Sequence, residues 1–314
     1  MTGWGQHRGG AGGAGARRPS ASESALTLLR DLIAERTGIF YGDSKRDLLE
    51  ERVGELVAAR GLPALLDYYY LLKYDPDAAA AWGELMDRLA VPETYFWRQP
   101  EQFEALAEVL LPRFAAAPGG RPLRILSAAC CSGEEPLSIA MALDEGGWFG
   151  RLPIEIVGSD ASAALVARAR KGVYGERALR SLSPERRARY FTKEGSGWRI
   201  DPALHGRVRW AVANLLDPAE TGPLAEADVI FCRNVFIYFS DDAVRRVVRT
   251  FAERMRAPGY LFLGASDSLM RLATDFTMGE AGAAFVYVRN PDPAPEPGPA
   301  GAARRRTVLT SERS

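Results

Sequence analysis

Leu123-Arg-Ile-Leu-Ser-Ala-Ala-Cys-Cys-Ser-Gly-Glu-Glu-Pro136, running on through Leu137-Ser-Ile-Ala-Met-Ala142, decides the fold. It opens with an apolar run lacking helical periodicity, passes through a turn of small residues with one glycine, and closes in an apolar helix begun by a proline. Strand, loop and helix in that order form the first βα unit of a nucleotide-type sheet. The ligand of such a sheet lies beyond the carboxyl ends of the strands, where the loop backbone approaches it and the next helix presents its N-terminus.

The residues of the turn discriminate between ligands. A pyrophosphate needs bare backbone N–H groups and the positive end of a helix, whereas Glu134 and Glu135 place negative charge there. Gly133 stands alone, so neither G-x-G-x-x-G nor G-x-x-x-x-G-K-[ST] is present. A ligand with a cationic end, a ribose and no phosphate suits an acidic loop, and S-adenosylmethionine is such a molecule. The competing reading, a capping box in which Ser132 and Glu135 only start the helix, stands level with it.

Composition narrows the class. With 314 residues, 47% hydrophobic and 25% charged, the chain is an ordinary soluble protein with room for one large and one small domain. Basic and acidic residues balance at 40 each, which gives no support to nucleic-acid wrapping. No apolar stretch is long enough to span or insert in a membrane, and the N-terminus carries no hydrophobic signal segment, so a cytoplasmic protein is expected. Cys130 and Cys131 are adjacent and Cys232 is distant, a pattern that makes neither a disulfide framework nor a C-x-x-C zinc site. His7 and His205 are the histidines, too few for a metal cluster or histidine catalysis.

Outward from the first strand, residues 1–22 and 290–314 are Gly-, Ala-, Pro- and Arg-rich and are expected to be disordered. Four helical patterns fill 23–90, with stripes such as Leu28, Leu29, Leu32 and Ile33, then Leu48, Leu49, Val53, Leu56 and Val57. The second helix also carries Lys45, Arg46, Arg52 and Arg60, whose plainest role is a solvated face. Residues 91–115 link to the sheet through the aromatic segment Thr94-Tyr-Phe-Trp-Arg98 and a helix over Glu101 to Phe114. Arg98 among aromatics reads first as half of a structural ion pair, or else as the partner of a ligand's carboxylate. The sheet domain occupies 116–289. Its second strand, Ile154 to Gly158, ends in Asp160, placed to hold a ribose diol or to cap the next helix. An antiparallel excursion is expected at about 189–212, with Asn214 and Leu215 at the return to the core. Asp228 to Arg233 is a buried strand with Asn234 at its tip and Tyr238 one helical turn on. A strand at Phe285 to Val288 is the last.

Taken in order, Glu93-Thr-Tyr-Phe-Trp-Arg98, Ser127 to Pro136, Gly158-Ser-Asp160, Asn214-Leu215, Ile230 to Phe239 and Leu263-Gly-Ala-Ser266 resemble the CheR-type chemotaxis receptor methyltransferases, from about Ser24 to Arg289. The resemblance implies an α/β class I S-adenosylmethionine-dependent methyltransferase, a Rossmann-like doubly wound sheet with an all-α N-terminal domain and an inserted antiparallel β-subdomain. It implies a cofactor pocket lined by Thr94, Arg98, Glu135, Asp160, Asn214, Leu215, Asn234 and Val235, with Arg98 and Tyr238 nearest the transferring methyl and no metal. The product cofactor is S-adenosylhomocysteine. The implied substrate is the glutamate side chain on the cytoplasmic domain of methyl-accepting chemoreceptors, reached by a monomer recruited to membrane receptor arrays. In some members the β-subdomain also holds a receptor C-terminal peptide. Pro92, Cys131, Ala265 and Asp267 depart from the family pattern. Two rivals stay open: the same chemistry in a chemosensory-like pathway that does not control swimming, and a non-catalytic scaffold.

Overall fold

The computed structural model describes residues 21–116, 120–269, 272 and 275–289, and the backbone of Thr307–Leu309. Four helices come first, α1 (Ala21–Thr37), α2 (Arg46–Ala59), α3 (Leu65–Tyr74) and α4 (Ala78–Leu89). Leu26, Leu29 and Ile33 of α1 fall on one face at helical spacing and pack with Leu49, Val53, Tyr68 and Leu85 into a separate core. Leu28 and Leu48, included in the sequence stripes, lie about 100° off those faces and are exposed. The connecting helix is α5 (Pro100–Glu104), a π-helical stretch Ala105–Leu110, and α6 (Leu111–Ala116).

The sheet domain then follows as β1 (Leu123–Ala128), α7 (Glu134–Glu145), β2 (Ile154–Asp160), α8 (Ala163–Lys171), β3 (Val173–Tyr174), α9 (Pro184–Tyr190), β4 (Phe191–Glu194), β5 (Gly197–Ile200), α10 (Pro202–His205), β6 (Val208–Val212), α11 (Pro218–Ala225), β7 (Val229–Cys232), α12 (Asp241–Arg254), β8 (Gly259–Leu263), β9 (Phe276–Ala281), β10 (Ala284–Arg289) and β11 (Thr307–Leu309). The large sheet has the order β6-β2-β1-β7-β8-β10-β9-β11. From β6 to β8 every pairing is parallel, and β10 runs antiparallel to both β8 and β9. Winding reverses between β1 and β7, which leaves a crevice beyond their carboxyl ends.

Alternation along the central strands divides the core. Ile125, Val229, Phe231 and Phe262 enter one layer with α7, and Leu126, Ile230, Cys232, Leu261 and Leu263 enter the other with α12. Phe231 and Phe262 stack at 4.6 Å between centroids. Strands buried on both faces read as continuous apolar runs, which is why Val229–Cys232 is plain in the sequence.

The excursion lies elsewhere than expected. Its sheet is β3-β5-β4, within 173–200, whereas Val208–Val212, expected inside it, pairs in parallel with β2 as an edge of the large sheet. An edge strand is covered unevenly, so its residues vary in burial much as those of a solvated hairpin do. β9 was not anticipated at all, because Thr277, Met278 and Glu280 carry no run of buried apolar residues. The disorder expected at 1–22 and 290–314 falls outside the described residues, apart from Ala21 and Ser22, which begin α1, and the backbone of β11. Among the described residues no helix is long and apolar enough to cross a membrane.

The helical domain is fastened along the crevice. Asn214 Nδ2 donates to the Arg36 carbonyl at 2.7 Å, Phe40 N–H to Tyr238 O at 2.8 Å, and Ser162 Oγ to Asp87 Oδ1 at 2.6 Å. Gly38, at φ 79°, ends α1 where a Cβ would meet Leu216 and Phe239 at 2.7 and 2.9 Å.

At the opposite, amino end of the sheet a buried carboxylate holds three segments. Asp228 accepts Arg121 Nη1 and Nη2 at 2.9 and 2.7 Å, Arg124 N–H at 2.9 Å and Arg256 Nη1 at 3.3 Å. Asp228→Ala strands these donors and is expected to cost about 3 kcal/mol. A urea midpoint equal to that of the wild type would show the clamp to be dispensable.

Candidate active site

The carboxyl ends of β1, β2, β6 and β7 open into a cavity of about 410 Å³, the size of a small-molecule site. Tyr41, Arg52, Met86 and Leu89 of the helical domain close its far side. Thr94, Arg98, Glu135, Asp160, Asn214, Leu215, Asn234, Val235 and Tyr238, the residues singled out in the sequence, all line it.

Its walls are strained. Among the described residues the non-glycine positions with positive φ are Trp97 (63°) and Gln99 (57°) on either side of Arg98, Ala129 (56°) and Cys131 (54°) after β1, and Asn234 (57°) after β7. Each such residue costs on the order of 1–3 kcal/mol and persists only when its surroundings hold it. Carboxylates hold two of them, Cys131 and Asn234. Asp160 accepts Cys131 N–H and Ser162 N–H, both at 2.9 Å. Asp267 accepts Asn234 N–H at 2.6 Å, Gly264 N–H at 3.1 Å and Ile237 N–H at 3.2 Å. Gly264 is confined to glycine by close approach, since a Cβ there would lie 2.5 Å from Asn234 Nδ2.

Each alternative left open by the sequence can be placed. Ser162, rather than Asp160, caps α8, accepting Leu165 N–H at 3.1 Å. Ser132 Oγ lies 2.8 and 3.0 Å from the oxygens of Glu134, so the capping box with Glu135 is not formed. Glu134 is buried away from the cavity, while Glu135 faces it, taking the Ser127 hydroxyl at 2.6 Å and lying 3.2 Å from Arg233 Nε. Arg98 donates to the Glu93 carbonyl at 3.1 Å and lies 5.6 Å from the Tyr95 ring centre. Asn214 uses its amide within the protein, Nδ2 to Arg36 O and Oδ1 from Leu216 N–H. The basic residues of the second helix are engaged separately: Arg60 pairs with Glu84, Arg52 donates to Leu89 O, Arg46 to Glu23 O, and Lys45 lies 6.0 Å from the Tyr238 ring centre.

Two site residues escaped the sequence reading. Asp267 figured there only as a departure from a motif. Arg233 lines the cavity with its side chain 2% exposed, Nη2 donating to Arg98 O and Nη1 without a hydrogen-bond partner among the described residues. Its signal was present: a charge closing an otherwise apolar buried strand needs a counter-charge or a ligand.

Burial pushes the Glu135 and Asp160 carboxyls above their ordinary range, opposed by Arg233 for Glu135 and by the Ser162 and Cys131 N–H groups for Asp160. The Cys131 thiol is pushed up to about 12 by burial and by Glu134, which keeps it neutral and unsuited to nucleophilic work.

Comparison with known proteins follows this geometry. Residues 92–285 match the family model described as CheR methyltransferase, SAM binding domain, and residues 24–90 match CheR methyltransferase, all-alpha domain. The chain is 35% identical over 274 residues to chemotaxis protein methyltransferase 1 of Pseudomonas aeruginosa, covering 85% of this chain and 98% of that protein. It is 37% identical over 265 residues to the chemotaxis protein methyltransferase of Vibrio parahaemolyticus, covering 81% and 93%. Probable biofilm formation methyltransferase WspC of Pseudomonas putida is 36% identical over 260 residues, with 82% of this chain and 60% of that protein covered.

Asp267→Asn tests the clamp on the Asn234 turn. An amide offers one acceptor oxygen where three N–H groups converge, so a loss of about 1–3 kcal/mol is expected. It should appear as faster hydrogen exchange at Asn234 and Gly264, and unchanged exchange there would remove the role.

Proposed function

Because the chain belongs to the CheR methyltransferase family, we propose that it methylates glutamate side chains on the cytoplasmic domain of chemoreceptors, using S-adenosylmethionine held in this cavity and giving γ-methyl esters. The observation that carries the reading is the pairing of two partly buried carboxylates, Glu135 and Asp160, with a buried Arg233 whose Nη1 has no hydrogen-bond partner among the described residues, in one cavity. That donor and acceptor set fits the cofactor: Glu135 would take the ammonium, Asp160 the ribose diol and Arg233 the carboxylate, with Thr94, Asn214, Leu215, Asn234 and Val235 forming the walls.

When bound, the cofactor supplies a methyl group made electrophilic by its sulfonium. The protein has little proton chemistry to perform, since a glutamate with a pKa of about 4.3 is ionised at neutral pH and needs no general base. What remains is placement. Arg98 orients the incoming carboxylate through charge and paired N–H groups, and Tyr238 supports it from the turn after β7, with Lys45 near its ring. Phe40, Leu48 and Val91 are exposed apolar side chains at the cavity, available to be covered by the receptor segment that carries the glutamate.

A receptor C-terminal peptide fits as an added strand on β3 or β4, the edges of the small sheet. We place the protein in the cytoplasm, recruited as a monomer to receptor arrays. The similarity to WspC favours a second reading of the pathway alone: the same transfer to a receptor whose output is biofilm formation.

Purified receptor cytoplasmic domains incubated with the protein and tritiated cofactor are expected to gain alkali-labile methyl groups. Binding of S-adenosylhomocysteine without transfer to any of them would favour a scaffold instead. Arg98→Ala is expected to lower kcat/KM about a hundredfold, more than it weakens cofactor binding; full turnover would sink the assignment.

Acidity gives a separate check. Glu135 and Asp160 are raised by burial, so each takes up its proton at a higher pH than a free carboxyl. A cationic ligand needs Glu135 ionised, so affinity is full above its raised pKa and is lost as pH falls through it. Calorimetric titration with S-adenosylhomocysteine should therefore weaken while free carboxylates are still ionised, and an affinity flat down to about pH 4.5 would contradict this.

A further inference from the structure

Asp87 belongs to α4, yet its carboxylate reaches across to the sheet domain. Its Oδ1 accepts the Ser162 hydroxyl at 2.6 Å and the Ala164 N–H at 3.0 Å. Ser162 is buried, lines the cavity and caps α8 by accepting Leu165 N–H at 3.1 Å. Its own N–H is one of the two that hold Asp160. Three residues thus form a relay from the helical domain to the acid at the tip of β2, its last link being the Ser162 backbone N–H.

A serine hydroxyl has one proton and can turn about its bond. Donating that proton to Asp87 fixes the rotor with its lone pairs toward Leu165, and the Ala164 bond fixes the first turn of α8 in the same step. The serine cap takes one orphan N–H of the helix start, at Leu165, and Asp87 takes a second, at Ala164. The extra carboxylate brings a second negative charge toward Asp160, which works against ionisation of that buried acid. Capping accounts for the Ala164 bond; the bond to the Ser162 hydroxyl, in the residue whose N–H holds Asp160, ties Asp87 to the geometry at Asp160.

We propose that Asp87 is a positioning residue for the cofactor: through Ser162 it sets the orientation of Asp160, so the ribose end of the cavity is complete only with the helical domain seated. This rests on the assignment of Asp160 to the ribose diol.

The relay ends on a single oxygen, and that makes it testable in the full chain. Asp87→Asn keeps the acceptor without the charge, whereas Asp87→Ala removes both. By calorimetry, Asp87→Ala is expected to bind S-adenosylhomocysteine about tenfold more weakly, and Asp87→Asn to stay near the wild type. In turnover the loss should fall on the KM for S-adenosylmethionine and not on kcat. A 2′,3′-dideoxy analogue of S-adenosylhomocysteine should bind wild type and Asp87→Ala alike, a result that a general loosening of the fold would not give. Ser162→Ala reads the same link should Asp87→Ala fail to fold, and combining the two should cost less than the sum of both. Unchanged affinity in Asp87→Ala, an Asp87→Asn as weak as the alanine variant, or equal weakening of the dideoxy analogue would each overturn the proposal. Failure of the wild type to bind S-adenosylhomocysteine would instead remove the reading of the cavity on which it stands.

Discussion

Left-handed backbone at the strand tips, pinned by a carboxylate from the neighbouring parallel strand or the loop after it, is the constraint on which the site depends. It occurs twice. Cys131 follows β1 and is held by Asp160 at the end of β2, while Asn234 follows β7 and is held by Asp267 just after β8. In each case the clamped turn and its clamp come from adjacent strands, so the parallel register of the sheet aligns acceptor with donor. The strain is thereby transferred to a core that alternation has already packed, and the crevice at the winding reversal keeps a fixed shape.

The clamps also divide labour between acids of one type. Asp267 directs its oxygens at three backbone groups, whereas Asp160 has two such bonds and faces the cavity. Glu134 and Glu135, neighbours in sequence, part in the same way: one is buried against Ser132, the other opens to the cavity opposite Arg233. Side-chain type is shared within each pair, and position relative to the crevice separates their roles.

Much of this could be read before any coordinates. The βα unit at Leu123, the four-helix domain and the positions of Glu135, Asp160, Asn234 and Tyr238 were legible because apolar periodicity and strand-tip position are local properties of the chain, whereas Thr94, Asn214, Leu215 and Val235 entered as cavity residues through the family resemblance alone. What was not legible is non-local. Val208–Val212 has the pattern of a solvated hairpin strand, and only its pairing with β2 makes it an edge of the large sheet. Arg52 looks like one more surface cation of α2 until the fold turns it toward Leu89 O. Nothing local to Asn214 announces the bond to the last turn of α1 that occupies its amide. Asp267 is separated by 33 residues from the Asn234 turn it holds, too far for any spacing rule to connect them.

The cover of the cavity is a folded domain with its own core, not a loop. A loop is held by its two ends, but this cover is packed as a unit and joined to the sheet domain by the Asn214, Phe40 and Asp87 contacts. The far wall of the cavity therefore takes its rigidity from the Leu29, Leu49 and Tyr68 core and not from the strand tips, so a substitution deep in the helical domain is felt at the cavity without touching it.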